Sequence, residues 1–316
     1  MNAVMNARAR TRAERAALER SASEQREHER QVVAEHYQHD PEIFSMVLDS
    51  RLAYSTGIFN HAGEDLDTAQ NHKMELVRDW LAIAPGERVL DVGCGWGSIL
   101  LYLAEHTQGR FHGLTLSENQ RAEAMRRAER LGVADRVRID VGHVEDQRWE
   151  PNSFDVVIFS GSIVHMHNRA AIHQKVAAAL AEGGRMLISD CYFPAQQRGD
   201  THSEATQYIF VQALGYCRLL HLYEELALME QAGLDIVRTR DLTSSYAMTL
   251  GRWIDNVRSH RAQIDAIAPG FARLLQTYMS VAQASFARRT ALEYMILATR
   301  GAARCLQVPA QLGATP

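Results

Sequence analysis

Short β-branched runs alternate with helix-like segments from Glu87 onward, and this alternation constrains the fold more than any other feature of the chain. The runs lie at 88–92, 111–115, 137–141, 154–159 and 185–189, and the helix-like segments lie near 98–106, 117–131 and 168–181. Strands separated by helices are typical of crossover units on a parallel sheet. We therefore predict an α/β fold with a doubly wound, mostly parallel sheet.

Two local signals agree with this pattern. Ser117 followed by Gln120 is typical of a capping box that opens a helix, and Gly183 with Gly184 predicts a helix C-cap that turns the chain into the fifth strand.

The segments outside these crossover units divide the chain further. Residues 1–40 alternate arginine with Glu and Ala and predict a charged helix, which is either a solvated arm or a helix packed over an active site or a second subunit. Residues 41–84 form a helical entry or lid segment in this interpretation, and residues 85–316 form the main domain. Pro194, Gly199 and mixed polarity predict a cap insertion at about 194–221. A helix at 222–232, a strand at 234–238 and C-terminal helices carrying Trp253, Tyr278, Phe286 and Tyr294 follow.

Composition excludes several classes of function. The 316 residues carry 34 Lys and Arg against 38 Asp and Glu, a formal charge of -4 that offers no field for a nucleic acid. The four cysteines share no metal-type spacing, and neither a leader nor a long apolar span is recognisable. We expect a soluble, cytoplasmic protein with no metal and no stable membrane insertion.

A glycine-rich turn follows the first predicted strand and opens a helix. In Asp91-Val-Gly-Cys-Gly-Trp-Gly97 the glycines let backbone amides approach a ligand at the helix N-terminus. The spacing lacks the ending of dinucleotide-binding turns and the Lys-Ser/Thr of a P-loop. A ligand with one nucleoside and a short charged tail, such as S-adenosylmethionine, fits better; the alternative is a tight turn with no ligand.

The run Val89–Gly97 with Gly113-Leu-Thr-Leu-Ser-Glu-Asn-Gln120 resembles the class I S-adenosylmethionine-dependent methyltransferases, and within them the cyclopropane fatty acid synthase and mycolic acid cyclopropane synthase family. Four further stretches match the family in order, at 35–40, 54–59, 208–210 and 246–250. The resemblance therefore covers about residues 33 to 300. The resemblance implies a Rossmann-like fold and S-adenosylmethionine as cofactor.

The same resemblance implies a set of cofactor-binding residues. Gly93 and Gly95 would line the methionine end, Thr115, Leu116 and Gln120 would face ribose and adenine, and Tyr54 with Ser55 would close over the cofactor. Asp91, His143 and Ser160 complete the predicted cofactor set.

The bicarbonate site of cyclopropane synthases is not retained. The positions that carry its Cys, Glu and His ligands in the family read Thr56, Val164 and Ser189 here, and only Tyr246 remains. Loss of the carboxylate and imidazole removes groups that hold a small anion. We therefore expect no bicarbonate.

The candidate catalytic residues are Tyr246, His165 and His167, with Asp190 behind them. Tyr246 would orient the acceptor or stabilise positive charge, and one of the two histidines would serve as a base. The alternative is a pair of loop histidines satisfied by backbone groups, and a His-x-His metal site lacks a third ligand.

An aromatic lining around the acceptor is a further prediction. Tyr208, Phe193 and Trp253 would contribute to it, and Glu204 would add charge near the insertion. Ordinary core packing explains these aromatic residues equally well.

These observations together predict a methyltransferase of secondary metabolism that acts at carbon on a small apolar, isoprenoid-like or lipid-like acceptor. Three alternatives stay open: methylene transfer to an alkene as in cyclopropane synthases, intramolecular rearrangement of S-adenosylmethionine, and a non-catalytic scaffold. The expected partner is the small-molecule acceptor, and a second copy bound through the N-terminal helix is a further possibility.

Overall fold

The computed structural model describes residues 40–195 and 217–301. The predicted N-terminal helix and most of the predicted cap insertion, with Tyr208 and Glu204, lie outside the described residues. Among the helices described, none combines the length and the apolar character needed to cross a lipid bilayer.

A mixed sheet of eight strands forms the centre of the fold. Its strands are β1 (Arg88–Val92), β2 (Arg110–Thr115), β3 (Val137–Val141), β4 (Phe154–Ser160), β5 (Leu180–Phe193), β6 (Leu220–His221), β7 (Asp235–Asp241) and β8 (Leu292–Thr299). The strand order is β3-β2-β1-β4-β5-β8-β7, and β6 pairs with the end of β5. All pairings are parallel except those of β8, which runs antiparallel to β5 and β7. The predicted α/β fold with a mostly parallel sheet is confirmed.

Helices cover both faces of the sheet. They are α1 (Pro41–Val47), α2 (Leu66–Leu81), α3 (Ser98–His106), α4 (Glu118–Arg130), α5 (Arg169–Ala179), α6 (Leu222–Gln231), α7 (Thr243–Ser259), α8 (Arg261–Ile267) and α9 (Phe271–Ala287). One apolar cluster packs α2, α3 and α4 against the sheet, and another packs α5 and α6 against it. Helices α1, α7, α8 and α9 form a third cluster, which we call the helical cap.

The structure differs from the sequence predictions at two places on the sheet. Tyr294, predicted to be helical, lies on β8, because the last described segment inserts as a strand between β5 and β7. Gly183 and Gly184 do not cap α5, which ends at Ala179. They lie instead in an irregular start of β5, where the register with β4 shifts and Gly183 has a φ of +72°.

The predicted capping box at α4 is half formed. The Ser117 hydroxyl accepts a hydrogen bond from the Gln120 amide (3.3 Å), as an N-cap residue does. The Gln120 side chain does not return to Ser117; its carbonyl oxygen accepts a hydrogen bond from the Thr115 hydroxyl (2.6 Å). This exchange links the end of β2 to the start of α4.

Candidate functional site

The glycine turn leaves β1 at the carboxyl end of the sheet. Gly93, Gly95 and Gly97 all have positive φ, at +78°, +54° and +77°. A Cβ atom on Gly93 would lie 2.4 Å from the Cβ of Ser162, whose hydroxyl donates to the Val92 carbonyl (2.7 Å). Only glycine fits at this position, since a side chain would both strain the backbone and collide with Ser162.

A first cavity of about 620 Å³, here called the nucleoside cavity, opens beside this turn. It contains Gly93, Gly95, Thr115, Leu116, Gln120 and His143 from the predicted cofactor set, with Val92, Leu114, Gly142, Val144, Gly161, Ser162, His165 and Met166. Its mostly apolar walls suit a flat heteroaromatic base. The Nδ1 atom of His143 accepts a hydrogen bond from the Glu145 amide (3.2 Å), which holds the imidazole in place.

The strand β2 ends at Thr115, and no carboxylate of α4 lines the nucleoside cavity. Glu118 is exposed and pairs with Arg121 on the same helix. The polar groups at the end of β2 are instead the Thr115 hydroxyl and the Gln120 amide, which are joined to each other.

A second cavity of about 470 Å³, the tail cavity, continues from the glycine turn. Tyr54, Ser55, Asp91 and Ser160 line it together with Gly93 and Gly95. Burial raises the pKa of Asp91 to about 7, and the nearby charge of Lys73 opposes this rise. A buried carboxyl group beside a cavity fits the ammonium group of an amino-acid tail.

Helix α2 fastens the segment that closes the tail cavity. The Lys73 ammonium donates to the Ser55 hydroxyl (2.8 Å), and the Gln70 side chain donates to the Ser55 carbonyl (2.8 Å). Lys73 is completely buried, and burial lowers its pKa to about 8. Its charge faces Asp49, Glu293 and Asp91, so it is the counterion of a carboxyl-rich interior.

A third cavity of about 760 Å³, the acceptor cavity, adjoins the other two. It shares Tyr54, Ser55 and Gly161 with the tail cavity and Gly161 and His165 with the nucleoside cavity. Its remaining lining residues are Thr56, Val164, Asp190, Cys191, Cys217, Leu219, Tyr246, Tyr278, Ala282, Ser285, Phe286, Ala291 and Glu293. Tyr246 packs on Phe286, with ring centroids 4.6 Å apart.

Three residues from the predicted catalytic and substrate sets do not line these cavities. Trp253 is buried behind the acceptor cavity, where its ring packs against Tyr54 (5.2 Å) and Tyr246 (6.1 Å). It therefore supports two lining residues and belongs to the helical cap. Phe193 packs against His221 at the end of β5, and His167 lies two residues beyond the cavity wall formed by His165.

Comparison with known proteins assigns the family. The family model described as mycolic acid cyclopropane synthetase matches residues 24–294. The chain belongs to this family. A probable fatty acid methyltransferase of Pseudomonas putida is 28% identical over 252 residues, which cover 78% of this chain and 64% of that protein. The chain thus spans just under two thirds of that relative's length.

Solved structures of the family show the same fold. The cyclopropane synthase MmaA2 of Mycobacterium tuberculosis superposes with a TM-score of 0.80 at 20% identity, covering 85% of this chain and 98% of that chain. The mycolic acid cyclopropane synthase CmaA1, complexed with S-adenosylhomocysteine and CTAB, gives 0.79 at 22% identity, with coverages of 85% and 98%. The fold is that of class I S-adenosylmethionine-dependent methyltransferases.

Of the four positions that the family resemblance associates with bicarbonate, three line the acceptor cavity of this protein and one does not. Thr56, Val164 and Tyr246 line the cavity. Ser189 lies on β5 and donates its hydroxyl hydrogen bond to the Glu293 carboxylate (3.0 Å).

Glu293 is a site residue that the sequence analysis missed. It lies on β8 directly opposite Cys191 on β5, and the Cys191 thiol donates to its second carboxylate oxygen (3.2 Å). Burial, together with the neighbouring Asp190, raises the pKa of Glu293 to about 8. A single carboxylate within the otherwise apolar run around 292–298 was the signal available in the sequence.

Asp190, the second carboxyl group of the acceptor cavity, has different partners. Its two carboxylate oxygens accept hydrogen bonds from the backbone amides of Cys191 (2.8 Å) and Val164 (3.2 Å). Burial raises its pKa, and Arg169 opposes the rise. Asp190 therefore fastens the loop after β4 to β5.

Proposed function

We propose that this protein is an S-adenosylmethionine-dependent methyltransferase that methylates a carbon atom of a small apolar, isoprenoid-like or lipid-like acceptor. The observation that carries the proposal is that Gly161 lines all three cavities, while Tyr54 and Ser55 line both the tail cavity and the acceptor cavity. This arrangement suits a nucleoside, a charged tail and an apolar acceptor that meet at one reacting atom.

The residues around the glycine turn fit the cofactor. The nucleoside cavity would hold the adenine and ribose, with Thr115, Gln120 and His143 in its wall, and the tail cavity would hold the methionine end beside Asp91. When bound, S-adenosylmethionine supplies an electrophilic methyl group. The chain contributes binding, orientation and exclusion of water.

The acceptor cavity supports an apolar substrate. Tyr54, Tyr246, Tyr278 and Phe286 supply aromatic faces, which stabilise positive charge as it develops on an acceptor carbon. The lining residues that the structure describes include no Lys or Arg to pair with an acidic headgroup. The fatty acid methyltransferase and mycolic acid synthases among the relatives are consistent with a lipid-like acceptor.

The wider organisation is part of the same proposal. Residues 41–84 would be a lid and residues 85–316 the methyltransferase domain, while residues 1–40 would either contact the site or a second copy or remain in solvent. The enzyme would act in the cytoplasm.

Incubation with methyl-labelled cofactor and a metabolite extract, followed by mass spectrometry, tests the proposed function. We expect a labelled apolar product and S-adenosylhomocysteine. Loss of the alkene proton signal on a gain of one CH₂ would identify a cyclopropane product instead. Methylthioadenosine without a labelled acceptor would identify rearrangement of the cofactor, and binding without any turnover would identify a scaffold.

A further inference from the structure

Resting on the proposed function, we propose that Glu293 is the catalytic base of this enzyme, and that its acceptor presents a neutral alkene to the acceptor cavity. The Glu293 carboxylate would remove a proton from the acceptor after the methyl group has been added.

The placement of Glu293 supports this role. Its side chain is 3% exposed and lines the acceptor cavity, on the strand that runs antiparallel between β5 and β7. Tyr246 from α7 and Phe286 from α9 line the same cavity with aromatic rings. A carboxylate in such a site is a stronger base than one in water, because its charged form is poorly solvated.

The hydrogen bonds of Glu293 leave it able to exchange a proton. Both described donors, the Ser189 hydroxyl and the Cys191 thiol, are side-chain groups that can rotate. Asp190 in the same cavity is held at both oxygens by backbone amides, which cannot turn away. Of the two carboxyl groups, Glu293 is therefore the one suited to proton transfer.

The charged and titratable groups around Glu293 determine whether its side chain is protonated. Groups that face it or share its cavity are Lys73 on α2, Tyr54, His165, Asp190 and Cys191 on β5, Cys217, Tyr246 on α7 and Tyr278 on α9. The pKa of about 8 belongs to the cavity without a ligand. The positive sulfonium of a bound cofactor would favour the carboxylate, so Glu293 would release its proton to solvent before methyl transfer and be charged when the acceptor cation forms.

The proposed step balances in atoms and electrons. The alkene π pair forms the new bond to the methyl carbon, the carbon–sulfur bond breaks with its pair on sulfur, and positive charge remains on the acceptor. Glu293 then takes a proton from a carbon next to that charge, and the released C–H pair forms a new double bond. If the proton comes from the added methyl group, the pair closes a cyclopropane ring. The protonated Glu293 returns its proton to solvent after product release.

The same two carboxyl groups define the substrate class. Asp190 and Glu293 both face the cavity, so a phosphate or carboxylate placed there would meet like charge. The part of the acceptor that enters the cavity therefore carries no negative charge.

The test compares Glu293→Gln and Glu293→Asp with Glu118→Gln, a matched change at an exposed carboxylate of α4. Calorimetry should give S-adenosylhomocysteine affinities within about 3-fold of wild type for all three variants. With the product-forming extract, E293Q should lose about 100-fold or more in turnover, E293D should retain part of it, and E118Q should be unchanged. The pH profile of wild-type turnover should carry an acidic limb that E293D shifts.

Infrared titration gives a readout that does not depend on turnover. The protein without cofactor should lose one protonated carboxyl band as pH rises through about 8, and this band should be absent from E293Q, which retains the band of Asp91 near pH 7. Turnover of E293Q within 3-fold of wild type, or identical carboxyl titrations of wild type and E293Q, would overturn the assignment. If the wild-type protein gives no labelled product, the proposed function itself is wrong. This result is distinct from failure of the Glu293 assignment, which requires an active wild type.

Discussion

Two features of individual site residues cost folding free energy and are uncommon in an ordinary protein core. The glycine turn holds the backbone in the left-handed region, and several ionisable groups, among them Lys73, Asp91 and Glu293, are buried around the cavities. Buried charges are tolerated when they have partners or change their protonation state. The opposing pKa shifts of Lys73 and the two acids show both effects.

Gly93→Ala should abolish measurable cofactor binding. The added methyl group would lie 2.4 Å from Ser162, and the backbone would keep a φ of +78°. Gly86→Ala is the matched control, since Gly86 has a φ of +81° with no atom within 4 Å of the added Cβ. Backbone strain should cost each variant about 1 kcal/mol of stability, and the collision with Ser162 should cost the Gly93 variant about 1–3 kcal/mol more. Calorimetry with S-adenosylhomocysteine should separate them, and wild-type affinity of the Gly93 variant would refute the role of the turn.

Glu293→Gln should change the pH dependence of stability in a predictable direction. The native pKa of Glu293, about 8, lies above its ordinary value of 4.5, so the native state binds the extra proton between these pH values. In the wild type, the contribution of Glu293 to the free energy of unfolding is fully present below about pH 4.5. It falls by roughly 1.4 kcal/mol per pH unit up to about pH 8. E293Q has no carboxyl group at this position, so its free energy of unfolding should not show this decrease with pH.

Urea unfolding of both proteins at a series of pH values measures the difference. The stability of E293Q relative to wild type should rise across that window and level off above it. A difference independent of pH would show that Glu293 titrates normally.

At the scale of elements, buried polar contacts join two helices that also pack on the sheet. Arg169 and His173 on α5 both bind Glu225 on α6, and Arg169 also donates to the Arg218 carbonyl. All three side chains of this Arg169–His173–Glu225 cluster are buried. The cluster therefore fixes the chain where it returns to the acceptor cavity at Cys217 and Leu219.

Glu225→Ala should destabilise the protein by about 3–5 kcal/mol, because it leaves the buried Arg169 without its carboxylate. Glu230→Ala, on the exposed side of the same helix, should change stability by about 0.5 kcal/mol or less. Chemical denaturation of the two variants measures both effects. Equal stabilities would show that water replaces Glu225 at no cost.

At the scale of the molecule, the cavities join parts of the fold that are distant in sequence. The segment around 52–56, the carboxyl ends of β1 and β4, and helices α7 and α9 of the helical cap all contribute walls. A ligand at this junction contacts several apolar clusters at once. Cofactor binding should therefore stabilise the described fold as a unit.

S-adenosylhomocysteine at about 100 times its Kd should add about 2.7 kcal/mol to the free energy of unfolding. Scanning calorimetry should show one transition whose Tm rises by several degrees. The Gly93→Ala variant should show no such rise. Two transitions, of which only one responds to the ligand, would show that the helical cap unfolds independently.

Much of the fold follows from local pattern. The bounds of β1, β3 and α3 match the predicted segments, because periodic apolar residues and the glycine turn act over a few neighbouring positions. The insertion of β8 between β5 and β7 was not predictable in this way, since a strand partner is chosen by contacts across the whole sheet.

The candidate site divides along the same line. The amino-acid sequence alone indicated the cofactor turn, because the need for glycine there arises from the backbone conformation of a few neighbouring residues. Glu293 lines the acceptor cavity because β8 pairs with β5. Trp253 does not line it, because its ring packs behind Tyr54 and Tyr246. Burial and the facing of side chains arise from segments far apart in the chain, and these set both the acidity of Glu293 and the shape of the cavity.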